Sequence, residues 1–583
     1  MHSKIISKFK FSFSKIDILK ITVIGIVGFY LLFNFIPFYD SADGYTLATI
    51  GMKLSQGQYA ITNELLEKTG KFEFKPGDWA NTIDPTNAIP LGPIGFHFWA
   101  AFLYFTTNNF GLFYFGPISG IILLIVAERI STKLFGKYVG LLTLLFIATN
   151  HIFLRASLSF QTENTAAILF LLGFYFMIQF LKTRYTYTIF LTSLFFSIAT
   201  LVRINSVVFF PTELIFVGLY FIFFHFKNKS SISLFKQFIK NSNLKKIGLL
   251  VLPWTIFFLF WFGYHDAFFG DPFTTQIIIQ RGAGSTNTEF SSFFELETRH
   301  FENAKQYSKY LLPYQFPALE SSVFSNYDDL FGKFWLGIVS FFVIIIGLVI
   351  SLKKKQHRKE IVAITFFIIS TVWFYSALTS EERASFGVPG RYMFPAFVLF
   401  YMLLSFVILK IFSFDGKSKK FVKSISYLTK ASVLIILIVF FSSAFYFTPY
   451  GQSIMDGTFK FNDPFELSKE HPPSLEGLTK NSVVVALKTD RILEYDLIPF
   501  QIVPVNDEKA PDDSISLLVD TINDGYSVYI FKQPTTIHEK IILQDLQDNH
   551  KFIFKDHSKS FCKVTVNSDT IPQEKSDSIC VEN

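Results

Sequence analysis

Runs of close to twenty apolar residues recur along this chain, and that recurrence restricts its fold more than any other feature. A helix needs about 20 apolar residues to cross a ~30 Å hydrocarbon core, and 17–38, 246–264, 334–351 and 392–413 all approach or reach that length. Lipid offers no partner to a backbone N–H or C=O, so such runs cross as helices with their hydrogen bonds closed internally. A transmembrane barrel would show short alternating segments instead. Composition agrees: 50% of residues are hydrophobic, 18% aromatic and 17% charged, where a soluble domain carries about 25% charged residues. Mean hydropathy is +0.37. The expected fold is an all-α polytopic membrane protein.

The net charge of +7 does not point to nucleic acid. The basic residues cluster between apolar runs, as they do in cytoplasmic loops. Lys4, Lys8, Lys10 and Lys15, with no acid among them, place the amino terminus inside. The first run is too long for a signal-peptide core and reads as a retained span. The next basic loop is 128–138, with Arg129, Lys133 and Lys137. Keeping it inside makes 90–107 an outer juxtamembrane or re-entrant segment and 110–127 a span. Spans at 137–154, 163–181, 186–202, 205–226, 246–264, 334–351, 361–378, 392–413 and 431–448 then alternate. About eleven crossings result, in a multi-pass protein of the plasma membrane with its tail outside.

The membrane domain is expected over 1–448, with a first outer loop at 39–109, and a small extracytoplasmic α/β domain over 449–583. "NSVVVALK", "GYSVYIFK" and "HKFIFKD" read as strands, with helical spacing in "DDSISLLVDTIND" and "TIHEKIILQDLQDN" between them. Cys562 and Cys580 are the only cysteines. An outer tail makes a disulfide between them plausible, two unpaired thiols being the alternative.

The outer face gathers the informative polar residues. Asp40, Asp43, Asp78 and Asp84 fall in the first loop, Arg155 and Glu163 flank the loop at 155–163, and Arg203 sits in a short turn. The long loop adds His265, Asp266, Asp271 and Arg281, and Arg383 and Arg391 precede the run at 392. A lone arginine at a membrane boundary commonly snorkels to the headgroups. Several on one face, opposite paired acids, fit a clamp on an anionic lipid phosphate.

From Asp43 the chain reads "DGYTLATIGMKLSQGQY", with Gly51, Leu54, Gly57 and Tyr59 following at fixed intervals. This resembles the first outer loop of the glycosyltransferase C superfamily, which includes the protein O-mannosyltransferases and the aminoarabinose transferase of lipid A. Five further segments are similar to family motifs in the expected order. They are "AIPLGPIGF" (88–96, with Ile89 replacing a proline), "ERISTKLFGKYVGLL", "SFQTENTAAILFLL", "SIATLVRINSVVFFP" and "PGRYMFPAF" (389–397). The acids here are Asp-x-x-Asp, where the best-known members have adjacent Asp-Glu.

The resemblance implies an inverting single displacement, in which an acceptor hydroxyl attacks a sugar carried on polyprenyl or dolichyl phosphate. Asp43 would be the general base, with Asp40 orienting it, holding the acceptor or binding a metal. Arg391 and Arg203, and more weakly Arg155, would hold the donor phosphate, while Glu163 and Tyr392 would orient substrate or an arginine. No cofactor is required, although a divalent cation is conceivable, and no His/Cys metal cluster is present in the sequence. Expected partners are a lipid-phosphate hexose or pentose, a glycan, lipid or protein acceptor, and membrane lipid. A transporter or flippase would place its acids within spans, often in repeated halves, and neither pattern is seen. An oligosaccharide-transferring or polymerising relative is the other alternative, but no "WWDYG"-like signature is found.

Overall fold

The structure is a computed structural model. It describes residues 14–35, 42–57, 61–62, 80–84, 87–90, 94–220, 241–269, 333–354, 357–378, 393–413, 430–431 and 434, and in the tail 482–486, 501–504, 512–531, 545–548, 552–556 and 561–566. The described residues up to 413 form the helices α1 Lys15–Phe33, α2 Ala42–Ser55, α3 Ile94–Thr107, α4 Asn109–Phe135, α5 Lys137–Ala148, α6 His151–Leu158, α7 Glu163–Thr183, α8 Thr186–Val202, α9 Phe209–Tyr220, α10 Asn241–Phe269, α11 Lys333–Lys354, α12 Arg358–Leu378 and α13 Phe394–Phe412. A 3₁₀ turn, Ile204–Val208, links α8 to α9.

Among the described residues five helices are long and apolar enough to cross a membrane, or six if the bent pair α5–α6 is one span. The expected span at 431–448 lies almost wholly outside them. α13 is the most enclosed of the five, with 78% of its apolar window buried. Its Phe397, Tyr401 and Phe406 have no more than 2% of their surface exposed. The fourteen residues of α3 rise only about 21 Å, short of a ~30 Å core.

Two sequence expectations need correction. The basic stretch at 128–138 is helical as far as Phe135 and turns only at Gly136, whose φ is +106°. Its acid explains why: buried Glu128 accepts from Lys20 of α1 at 2.5 Å and from Thr132 at 2.6 Å, so the polar residues are satisfied without leaving the helix. The run at 137–154 is not a straight span. Its two helices are bent by 70° at Asn150, whose Oδ1 caps α6 by accepting from the Phe153 N–H at 2.9 Å. Its Nδ2 donates to the Tyr401 hydroxyl at 2.6 Å. A capping side chain competes with the helical ladder even within an apolar run.

Ion pairs bind the ends of the spans. Lys137 pairs with Asp17 at 2.9 Å and Lys182 with Glu360 at 2.6 Å, and the Phe135 ring lies 5.4 Å from that of His357, bringing these ends together. Glu163 begins α7 and Lys182 lies near its end. At 1.5 Å per residue the two are about 28 Å apart, close to the thickness of the hydrocarbon core.

Two small sheets complete the described structure. Ile61–Thr62 (β1), Ala80–Asp84 (β2) and Asn87–Pro90 (β3) form an antiparallel sheet in the order β1-β3-β2, which the sequence reading did not anticipate. The tail strands are Ser482–Ala486 (β4), Gln501–Pro504 (β5), Ser527–Phe531 (β6), Phe552–Asp556 (β7) and Phe561–Val566 (β8), with helix Asp512–Asn523 (α14). Their order is β5-β4-β6-β8-β7, parallel across β5, β4 and β6 and antiparallel across β6, β8 and β7. Cys562 on β8 is disulfide-bonded.

α2 and α3 touch backbone to backbone. A Cβ on Gly51 would overlap the Ala100 Cβ and lie 2.8 Å from the Ala100 carbonyl carbon and 2.9 Å from the Ala101 nitrogen. Backbone atoms cannot swing away as a long side chain can. Gly51→Val is therefore expected to destabilise the protein by about 1–3 kcal/mol, the usual cost of overpacking, read as a lower midpoint in denaturant unfolding of the purified protein. An unchanged midpoint would show that α2 and α3 are not packed this closely.

Candidate active site

Glu163 opens α7 and Arg203 closes α8. The two helices are antiparallel neighbours joined by a turn at Arg184, whose φ is +59°. Arg203 leaves the helix in an extended conformation (φ −150°, ψ 105°), which frees its side chain to reach across to the start of α7. Its Nη1 lies 2.9 Å from Glu163 Oε1 and donates to Thr162 Oγ1 at 2.8 Å. The Glu163 side chain is fully enclosed and that of Arg203 is 14% exposed. A guanidinium is a planar, rigid fork of donors, so these contacts on Nη1 orient the group.

The residues beside the pair are also held. Asn164 Nδ2 donates to Ser157 Oγ at 3.0 Å, to the Ala156 carbonyl at 3.3 Å and to Ser119 Oγ of α4 at 3.4 Å. The turn 159–162 is thereby tied to α4, α6 and α7. Phe160 packs its ring 5.2 Å from Phe96 of α3 and 5.3 Å from Phe115 of α4.

α3 connects this turn to the helix carrying Asp43. A Cβ on Gly95 would lie 2.8 Å from the Leu201 Cβ and 2.9 Å from its carbonyl oxygen, two residues before Arg203. Ala100 and Ala101 meet Gly51 of α2, and Asp43 is the second residue of α2. A helix amino terminus is electropositive, so a carboxylate-bearing residue there belongs to a region that favours anions. Gly57, with φ +81°, lies just past the end of α2, and its N–H bonds the Leu54 carbonyl at 3.0 Å. Gly51 and Gly57, two of the spaced glycines read from the sequence, thus meet separate demands, one for space and one for a left-handed backbone.

Arg203 and Glu163 are therefore brought together, whereas Arg155 is exposed on α6 and takes part in no ion pair among the described residues. Asp40, Arg391 and Tyr392 lie outside the described residues, as do Asp78, Asp271, Arg281 and Arg383. Asp84 ends β2 opposite Asn87. His265 is buried near the end of α10, its ring 4.5 Å from that of Trp261, and Asp266 beside it is exposed. No group of three His, Cys, Asp or Glu side chains suited to a metal occurs among the described residues.

Sequence reading missed Thr162 and His97. Thr162 carries no signal beyond its place before the acid. His97 sits in an apolar helix and is fully buried, and neither ring nitrogen is hydrogen-bonded among the described residues. Glu213 of α9 was also missed; it accepts from Ser193 at 2.7 Å and from the Trp254 indole at 2.9 Å, joining α8, α9 and α10.

The site is a buried arginine–carboxylate pair set at the ends of apolar helices, with an acid-bearing helix packed one helix away. No protein-family model matches the sequence, and no curated protein matches it. Solved structures similar to it include ArnT from Cupriavidus metallidurans bound to undecaprenyl phosphate, at 12% identity and a TM-score of 0.48, over 95% of this chain and 99% of that one. The archaeal oligosaccharyltransferase AglB from Archaeoglobus fulgidus, in complex with an inhibitory peptide and a dolichol-phosphate, is similar at 13% identity and a TM-score of 0.41, over 95% of this chain and 75% of that one.

Removing one member of a buried ion pair strands the other's charge, at a cost of about 3–5 kcal/mol, whereas replacing both by apolar residues is often neutral. Arg203→Met and Glu163→Leu are each expected to destabilise the protein strongly, and the double variant to recover much of the loss. A double-mutant cycle on unfolding free energy measures this, and simple additivity would refute the pairing.

Proposed function

We propose that the protein is a membrane glycosyltransferase that moves a sugar from a polyprenyl- or dolichyl-phosphate donor to an acceptor hydroxyl on the extracytoplasmic face. The observation that carries this reading is the placement of α3. Its first turns pack on Leu201 and Phe160, beside Arg203 and Glu163, and its middle packs on α2, which bears Asp43. The elements holding the motif residues are thus built into one unit, although 160 residues separate Asp43 from Arg203.

In this reading the donor's apolar chain lies among the membrane helices and its phosphate meets the Arg203 guanidinium. Glu163 and Thr162 hold that guanidinium in place. Its charge then acts where negative charge develops as the lipid phosphate leaves. Asp43 takes the proton of the acceptor hydroxyl as oxygen attacks the anomeric carbon from the face opposite the phosphate, inverting that carbon. The new glycosidic bond forms as the bond from the anomeric carbon to the phosphate oxygen breaks. Asp40, Arg391 and Tyr392 remain candidates for the acceptor and phosphate ends of the same site. The tail, placed outside, would shape access for the acceptor.

The test is sugar transfer in membrane extracts supplied with polyprenyl-phosphate hexoses and pentoses. Loss of a general base lowers rate roughly 10²–10⁴-fold, so Asp43→Asn should fall by that factor while donor binding persists. Transfer at near wild-type rate would remove Asp43 from the mechanism. Absence of transfer by the wild type from every lipid-phosphate sugar, together with lipid movement between leaflets in reconstituted vesicles, would favour a flippase instead.

A further inference from the structure

His97, near the start of α3, is fully buried, and neither ring nitrogen has a hydrogen-bond partner among the described residues. Buried polar side chains almost always find a partner, so one that has none calls for a reason. Packing alone supplies no such reason, since an apolar ring would fill the space without stranding two polar atoms. Its neighbours along α3 border the site, and Ala100 and Ala101, three and four positions on, share its face of the helix. Gly95, two residues earlier, lies against Leu201; the Phe96 ring touches Phe115 and Phe160; and Ala100 and Ala101, one turn later, meet Gly51 of α2.

We propose that His97 is a sugar-contacting residue: donor binding parts α2 from α3, and the imidazole then exchanges hydrogen bonds with hydroxyls of the donor sugar. This rests on the glycosyl-transfer reading and adds to it a specificity residue. The chemistry favours a sugar over the phosphate. A neutral imidazole offers one donor and one acceptor, the pair that a sugar's hydroxyls complement. A phosphate offers acceptors, which the Arg203 guanidinium suits better. The stranded nitrogens raise the free energy of the closed packing. A ligand that satisfies them binds the parted arrangement better than the closed one, and that difference in affinity is what shifts the equilibrium between the two.

The experiment uses the full-length protein in nanodiscs, with His97→Phe and His97→Gln. Phenylalanine keeps the ring and removes both polar atoms, whereas glutamine keeps a donor and an acceptor. Three quantities are measured: the unfolding temperature without ligand, KM and kcat with a polyprenyl-phosphate hexose, and the thermal shift given by sugar-free polyprenyl phosphate. His97→Phe should raise the unfolding temperature and raise the donor KM about tenfold, the scale of one lost hydrogen bond in a desolvated site. Its response to sugar-free polyprenyl phosphate should match the wild type, and His97→Gln should recover part of the KM. An unchanged KM in His97→Phe, a lowered unfolding temperature, or an equal loss of response to the sugar-free lipid would each overturn the proposal. Failure of the wild type to transfer sugar from any lipid-phosphate donor would instead bring down the functional reading and the His97 assignment with it.

Discussion

The ion pair between Arg203 and Glu163 is the interaction on which the candidate site depends. A charge cannot be left alone in the interior of a helical bundle, so each residue fixes the other. Because the pair joins the residue that follows one helix to the first residue of its antiparallel neighbour, it closes the end of the α7–α8 hairpin opposite the turn at Arg184. Everything near the site is referred to that closure. The 3₁₀ turn begins directly after Arg203 and leads into α9, and the Asn164 amide ties the adjoining turn to α4 and α6. α3 rests on Leu201, two residues before the arginine.

A second set of pairs, Lys20 with Glu128, Lys137 with Asp17 and Lys182 with Glu360, ties helix ends together. The pairs at the two ends of α7 have different chemistry. Lys182 is partly exposed and Glu360 is mostly enclosed, where a mobile ammonium can still reach water. At the Glu163 end the cation is a planar guanidinium, nearly enclosed, on a fully enclosed carboxylate. Rigid orientation is expected where an anionic group must be held during a reaction, and a looser contact suffices where helices only need to stay together.

The fold was legible in the sequence where hydrophobic length decided it. α7, α8 and α13 begin and end within about two residues of the apolar runs, because lipid enforces helix on any such run. It was not legible where one polar residue overrode the run. Asn150 bends 137–154 by capping a new helix, and Glu128 keeps a basic stretch helical by finding Lys20. Glu128 needs a partner distant in sequence, which no local pattern reveals, whereas the Asn150 cap on Phe153 is local and was outweighed by the apolar run around it. The same division holds at the site. Arg203 and Glu163 stood out as charged residues at span ends, and Gly51 and Gly57 by their spacing. Thr162 and His97 acquire meaning only from what surrounds them, one as a hydroxyl on the guanidinium and the other as an imidazole without a partner.

The seam between α2 and α3 has a mechanical consequence. Gly51 leaves no side chain between the two backbones, so the helices must shift as one piece unless they separate altogether. The opposite side of α3 is greasy and open: Phe98, Trp99, Phe102 and Phe105 are 47–77% exposed. In a bilayer such a face seeks the hydrocarbon boundary. Because α3 also rests on Leu201 through Gly95, the depth at which it settles is imposed on α2 and on the arginine end of α8 alike, by contacts that involve no charge.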